Sequence, residues 1–119
     1  LERASAKINF VPQRGDFARG IFSAIYVDTD LSEEQAYALY DSYYAAHPFT
    51  HVSPKNIDLK QVVNTNKSII HLEKHGNKLL ILNATDNLLK GASGQAVQNM
   101  NLMFGLDERT GLNLKSVGF

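Results

Sequence analysis

The sequence has 119 residues and no cysteine. That absence excludes disulfide staples, thiolate metal sites and any thiol nucleophile supplied by this chain. An excess of one charge is missing too: twelve Lys and Arg balance twelve Asp and Glu, so no net field draws the whole chain to nucleic acid or to an anionic membrane. No nearly apolar stretch, Leu79 to Leu82 included, approaches the roughly 18 residues a membrane span requires. Leu1-Glu2-Arg3 carries no signal-peptide core. These absences predict a soluble, cytoplasmic protein with no nucleic-acid partner and no membrane partner. Leu1 in place of an initiating Met predicts that the sequence is part of a longer parent.

What is present suffices for one globular domain. The chain is 44% hydrophobic and 20% charged, and a chain of this length buries roughly 65% of its unfolded surface, so one core can hold it without a staple. Lys7 to Val11 alternates polar and apolar residues until Pro12, which predicts a first strand. Gln13 to Gly20 is a basic turn with Arg14, Arg19 and two glycines. Ile21 to Val27 supplies the β-branched and aromatic residues of a second strand. Ser32-Glu33-Glu34-Gln35 fits a capping box, and apolar spacing carries the helix to about Ala46, where Pro48 restricts the residue before it. Phe49 to Val52 predicts a short strand, and Gln61 to Val63 a return to the sheet. Ser68–Lys74 and Lys78–Ala84 flank His75-Gly76-Asn77, the chemistry of a hairpin turn. A helix over 90–104 follows, stopped by Gly105.

This order has no regular strand–helix alternation and predicts an α+β fold, a mainly antiparallel sheet with helices on one face. Leu79 to Leu82 points apolar side chains to both sides of that sheet. One layer is then helix, and the other is expected to be a second subunit, making the chain a homo-oligomer, dimer or tetramer.

The stretch with the most unusual composition is Asp86 to Asn99. Gly91 and Gly94 lower helix propensity at the start of a predicted helix, so either a ligand or another element must approach the backbone closely there. Lys90 adds charge that suits an anion, although the spacing of a Walker-type phosphate loop is absent. Arg19, and secondarily Arg14, offer guanidinium forks for a carboxylate or phosphate. His71, Glu73 and His75 alternate onto one strand face and are read as a polar hairpin face, with no metal site assigned.

The run Asp86 to Asn99, continued by Met100-Asn101-Leu102-Met103-Phe104-Gly105-Leu106, resembles the C-terminal signature of the N-acetyl-gamma-glutamyl-phosphate reductase family. Phe17-Ala18-Arg19-Gly20-Ile21 resembles the family's Arg-Gly-Ile strand start, His47-Pro48-Phe49 with Val52 resembles the segment after its helix, and Val63-Asn64-Thr65-Asn66 resembles its Gly-Ser/Thr-Asn element. The family also carries an N-terminal Rossmann domain for NADP, a catalytic Cys on a Pro-Gly-Cys turn, and a His in a His-x-His-x-Pro-Glu-Ile motif. None of these stands in this sequence. The resemblance therefore implies the C-terminal substrate and dimerisation domain of such a reductase, with a fold similar to the C-terminal domain of glyceraldehyde-3-phosphate dehydrogenase.

The resemblance implies reductive dephosphorylation of an acyl phosphate: a thiolate displaces phosphate, NADPH delivers hydride to the thioester, and the hemithioacetal collapses to the semialdehyde. NADP would be held mainly by the N-terminal domain, which is also a partner. This chain would contribute Asn87, Gly91 and Gln95 toward the cofactor and Arg19 and Arg14 toward the substrate, with no catalytic residue of its own. The fragment alone is expected to be inactive. A free-standing α+β binding or regulatory module, and a related aminoadipate- or aspartate-semialdehyde dehydrogenase, are the alternative readings.

Overall fold

The hairpin predicted around Gly76 organises the sheet. In the computed structural model, which describes residues 7–116, β1 (Ile21–Asp28), α1 (Glu33–Tyr44), β2 (Thr50–Ser53), β3 (Ser68–His75), β4 (Lys78–Thr85) and α2 (Gly94–Met103) follow in chain order. Leu1-Glu2-Arg3 lies outside the described residues. β3 and β4 are joined by Gly76-Asn77, and Gly76 takes φ +58°, a left-handed conformation that glycine adopts without steric cost. The sheet order is β1-β4-β3-β2, antiparallel except for the parallel β2–β3 pair.

Register and alternation sort the side chains onto two faces. Ile25, Ile70, Leu72, Leu79 and Ile81 share one face, while Phe22, Ala24, Tyr26, Ile69, His71, Leu80 and Leu82 share the other. α1 covers the β3 and β4 part of the first, leaving Ile25 on β1 half exposed. Ala36 is fully buried against Ile70, Leu72 and Leu79, with Tyr40, Tyr44 and Ile81 packed around them. Burial of a leucine such as Leu72 contributes about 1.5–3 kcal/mol.

α1 begins where the sequence says it should. Ser32 Oγ accepts from Gln35 N–H, and Gln35 Oε1 accepts from Ser32 N–H, so two orphan amides are satisfied reciprocally. The Tyr37 hydroxyl reaches past the end of β2 and lies 3.0 Å from both Ser53 O and Leu72 O, while accepting from Leu72 N–H. It extends the sheet's polar pairing beyond the point where the short β2 stops.

Two expectations are corrected. Lys7 to Val11 forms no strand, and Ile8, Phe10 and Val11 are exposed. Alternation alone is not enough, because a strand also needs a ladder partner, and this segment pairs with no described strand. Gln61 to Val63 does not return to the sheet. A 3₁₀ turn over Leu59–Gln61 takes its place, capped by Asp58, with Gln61 reaching back to Asp58 N–H. Val62 and Val63 still enter the core, by burial from a turn rather than by strand alternation.

The helix expected over 90–104 has two parts. A π-helical turn over Leu89–Ser93 precedes α2, and Gly105 (φ +66°) ends it.

Candidate functional site

β4 ends at Thr85, and the next residue, Asp86, is a fully buried carboxylate that gathers three segments of chain. Its Oδ1 accepts from the amides of Leu88 (2.8 Å) and Leu89 (2.9 Å), which fixes the turn leading into α2. Its Oδ2 accepts from Asn64 N–H at 2.6 Å and lies 2.7 Å from Arg19 Nε. Asn64 itself is held at φ +65°. Burial by itself would raise the Asp86 carboxyl, but the amides of Asn64 and Leu89, the Arg19 guanidinium and the Leu88 amide outweigh it and hold the group below the usual aspartate range.

The adjacent residue adds a second tie. Asn87 Oδ1 accepts from Gly20 N–H at 2.8 Å, so the basic turn and the glycine-rich turn, far apart in sequence, lie against one another. The structure thus brings Arg19 and Asn87 together. Arg19 Nε, buried against Asp86 Oδ2, meets it as an ion pair without the alignment of a hydrogen bond, while the terminal nitrogens take no partner among the described residues and the side chain remains 28% exposed. Asn87 Nδ2 likewise takes no partner among the described residues. Arg14 is exposed and unpaired among the described residues, with nothing that fixes it to the site.

The two glycines have different reasons. A Cβ on Gly94 would stand 2.3 Å from Asn66 Oδ1 and 2.8 Å from Leu89 O, so this position exists for close packing. Gly91 is exposed, and a Cβ there would meet only Asp86 O at 3.6 Å. Its amide donates to Asp86 O at 3.0 Å, and a side chain there would make only an ordinary contact. Gln95 lies exposed one residue into α2, where its Oε1 accepts from Asn99 Nδ2 one turn on.

Lys90 turns the other way, onto the helix-covered side of the sheet. Its Nζ donates to Gln98 Oε1 (2.8 Å) and lies 5.6 Å from the centre of the Phe49 ring. Burial lowers its pKa, with Glu108 acting in the opposite sense. Lys90 lines a cavity of about 340 Å³ with Ser23, Tyr40, Tyr44, Asn83 and Thr85. Asn66 Nδ2 also donates to Gln98 Oε1, and Gln98 Nε2 donates to Glu108.

His71, Glu73 and His75 do share a face. Glu73 lies between the two imidazoles, 3.3 Å from His71 Nε2 and 2.9 Å from His75 Nε2. His71 Nδ1 is engaged by Ser53 O and the Tyr37 hydroxyl. The trio therefore satisfies itself. Among the described residues no group of His, Cys, Asp and Glu is arranged to hold a metal ion, and no helix is long and apolar enough to cross a membrane.

Asp86, Asn64 and Asn66 lie in segments that the sequence marked, but none of the three was assigned a role in the site. For Asp86 a signal existed: an aspartate two and three residues before Leu88 and Leu89, directly after a strand, is the sequence form of a side-chain cap.

With this geometry in view, the comparisons with known proteins are decisive at the level of the family. The family described as semialdehyde dehydrogenase, dimerisation domain, matches residues 1–87. The chain belongs to that family. Proteins named N-acetyl-gamma-glutamyl-phosphate reductase align with this dimerisation domain over nearly all of its length. The one from Bacteroides fragilis is 61% identical over 114 residues, 96% of this chain and 35% of the relative. That from Bacteroides thetaiotaomicron is 60% identical with the same coverage, and that from Azobacteroides pseudotrichonymphae is 58% identical over all 119 residues and 37% of the relative. The chain spans about a third of the length of these curated relatives. The α+β architecture expected from the sequence is the one observed.

Proposed function

We propose that this dimerisation domain forms the substrate-side wall and the subunit interface of an N-acetyl-gamma-glutamyl-phosphate reductase, a cytoplasmic enzyme of arginine biosynthesis that reduces N-acetyl-glutamyl phosphate to the semialdehyde. The observation that carries the reading is Arg19: its Nε is anchored by a buried carboxylate while both terminal nitrogens remain available. A guanidinium presented in this way matches the two oxygens of a carboxylate or phosphate, and anchoring it beforehand lowers the entropy lost on binding. Arg14, unfixed in the same segment, serves at most as an auxiliary charge.

NADPH, when bound, supplies the hydride. The residues of this domain fit one edge of it: Asn87 offers a free Nδ2 donor for a carboxamide oxygen, Gly91 presents backbone without a side chain, and Gln95 is exposed beside it. The thiol that attacks the acyl phosphate, the dinucleotide-binding domain and the bulk of the cofactor contacts belong to the remainder of the parent. On this reading the domain binds and orients the reactant, and by itself it turns over no substrate.

The uncovered sheet face is the proposed subunit interface. Phe22 and Tyr26 are 44% and 69% exposed, and Leu80 and Leu82 stand beside them on the same face. Ala84 and His71 on this face are buried, but its β1 side, with Phe22 and Tyr26, lies open among the described residues.

The test uses the full-length protein that contains this domain, with NADPH absorbance as the assay. Arg19→Ala should raise KM for N-acetyl-glutamyl phosphate by about tenfold to a hundredfold, the equivalent of about 1.5–3 kcal/mol for a charge-assisted hydrogen bond, with KM for NADPH little changed. Asn87→Ala should do the reverse. Turnover of aminoadipyl or aspartyl phosphate in preference to the acetylglutamyl compound would redirect the reading to those dehydrogenases, and no turnover of any acyl phosphate would favour a binding module.

A further inference from the structure

Asp86 has no place in the chemistry described so far, yet no other side chain among the described residues accepts so many donors. Its two oxygens divide the work. Oδ1 holds the amides of Leu88 and Leu89, hence the turn that carries Asn87 and Gly91. Oδ2 faces Arg19 Nε and the amide of Asn64. One rigid carboxylate therefore spans from the arginine assigned to the substrate to the turn assigned to the cofactor. Asn87, the next residue, ties the same two segments again through Gly20 N–H.

We propose that Asp86 is a positioning residue that sets the substrate arginine and the cofactor turn in one fixed relation, so that both binding sites are preorganised through a single group. The proposal rests on the reading of Arg19 and Asn87 given above.

The chemistry at this position is specific to a carboxylate. Three backbone N–H groups donate to Asp86, and the fourth group facing it, the Arg19 guanidinium, is a cation held as an ion pair. An asparagine would keep one accepting oxygen but lose the charge, and its NH₂ would then oppose either the Arg19 guanidinium and Asn64 N–H or the two turn amides. No rotamer of asparagine satisfies both pairs. Because Asp86 is fully buried, water cannot substitute cheaply for the lost acceptor. The weaker pair must part, and Arg19, already one-quarter exposed, is the side chain with somewhere to go.

A double-mutant cycle in the full-length enzyme tests this. Asp86→Asn should raise KM for both N-acetyl-glutamyl phosphate and NADPH, each by about tenfold, with kcat changed less than threefold, a split that mere loss of folded protein would not produce. Arg19→Gln should raise the acyl-phosphate KM alone. In the Arg19→Gln background, Asp86→Asn should add nothing further to the acyl-phosphate KM while still raising that for NADPH. Additive effects on the acyl-phosphate KM, or an Asp86→Asn enzyme with unchanged KM values and a lowered melting temperature, would overturn the positioning role. If Arg19→Gln leaves the acyl-phosphate KM untouched, the substrate reading of Arg19 fails, and the substrate arm of the proposal with it. Should Asp86→Asn not fold, Asp86→Glu, which keeps the charge and displaces it by one methylene, takes its place in the cycle with the same expected pattern.

Discussion

Gly91 and Gly94 look alike in the sequence, three apart before a helix, and the structure requires them to respond oppositely to alanine. At Gly94 the added methyl would stand 2.8 and 2.9 Å from the carbonyl oxygen and carbon of Leu89, backbone atoms that cannot turn aside, and 2.3 Å from Asn66 Oδ1. Asn66 is itself fully buried and bonded to Gln98, so its retreat would break a buried polar network. Overpacking of this kind costs about 1–3 kcal/mol, at the upper end where backbone must shift, and the helix-propensity gain of alanine over glycine returns only about 0.8–1 kcal/mol. The net expectation is a loss of about 2 kcal/mol, or roughly 3 °C in melting temperature for a protein about three times the length of this chain. At Gly91 the methyl meets a single oxygen at 3.6 Å, an ordinary contact, and the reduced freedom of the unfolded chain should stabilise by about 0.4–1 kcal/mol.

Kinetics separate the pair a second time. If the open backbone at Gly91 admits the cofactor, Gly91→Ala places a methyl where NADPH must approach, so KM for NADPH should rise several-fold in a protein that melts no lower than the parent. Gly94→Ala should lose stability first. Thermal melting of both variants by circular dichroism, with NADPH kinetics on the same preparations, gives the comparison. Equal melting temperatures for the two variants would refute the packing argument at Gly94, and an unchanged KM in Gly91→Ala would remove that glycine from the cofactor site.

Two further predictions follow from the same geometry. The depressed pKa of Asp86 makes it a source of stability that is fully present above the unfolded aspartate value of about 3.9 and is lost as pH falls through the lower folded value; the gap in melting temperature between parent and Asp86→Asn should therefore be constant near neutrality and close as the pH drops below about 4, and a gap independent of pH would contradict the assignment. Phe22→Asp combined with Tyr26→Asp adds like charges to the exposed sheet face, and across a symmetric interface such juxtaposition costs several kcal/mol. Sedimentation of the full-length protein should show dissociation at micromolar concentration, whereas an unaltered oligomer would place the interface elsewhere.

Much of the architecture was legible because its signals are local. Ser32 with Gln35 fixed the start of α1, Gly76 fixed the hairpin, and Gly105 fixed the end of α2, each through a backbone need that one or two residues meet. The same local grammar was available at Asp58 and Gln61, whose capping pair makes the 3₁₀ turn; the valines that follow suggested a strand only because burial of two adjacent apolar residues resembles strand alternation at short range. Lys7 to Val11 failed for the opposite reason. Its alternation is genuine, but ladder pairing is a property of two segments, and it pairs with neither edge strand of the sheet, β1 or β2.

The site divides along the same line. Arg19 and Asn87 could be named from residue type and resemblance, but not the bond between their segments, since Asn87 meets Gly20 across 67 positions and Asp86 meets Asn64 across 22. The sequence marks Asp86 as the head of an unusual stretch and as a local cap, but only tertiary folding buries it and brings Asn64 and Arg19 against it. The consequence is directional. A side chain that touches ligand is chosen for a chemistry visible in its own identity, whereas one that holds such a side chain is chosen for its surroundings. On the proposed function Arg19 belongs to the first kind and Asp86 to the second: the ion pair with the carboxylate behind it would limit how far the guanidinium swings and so ready it for an anion.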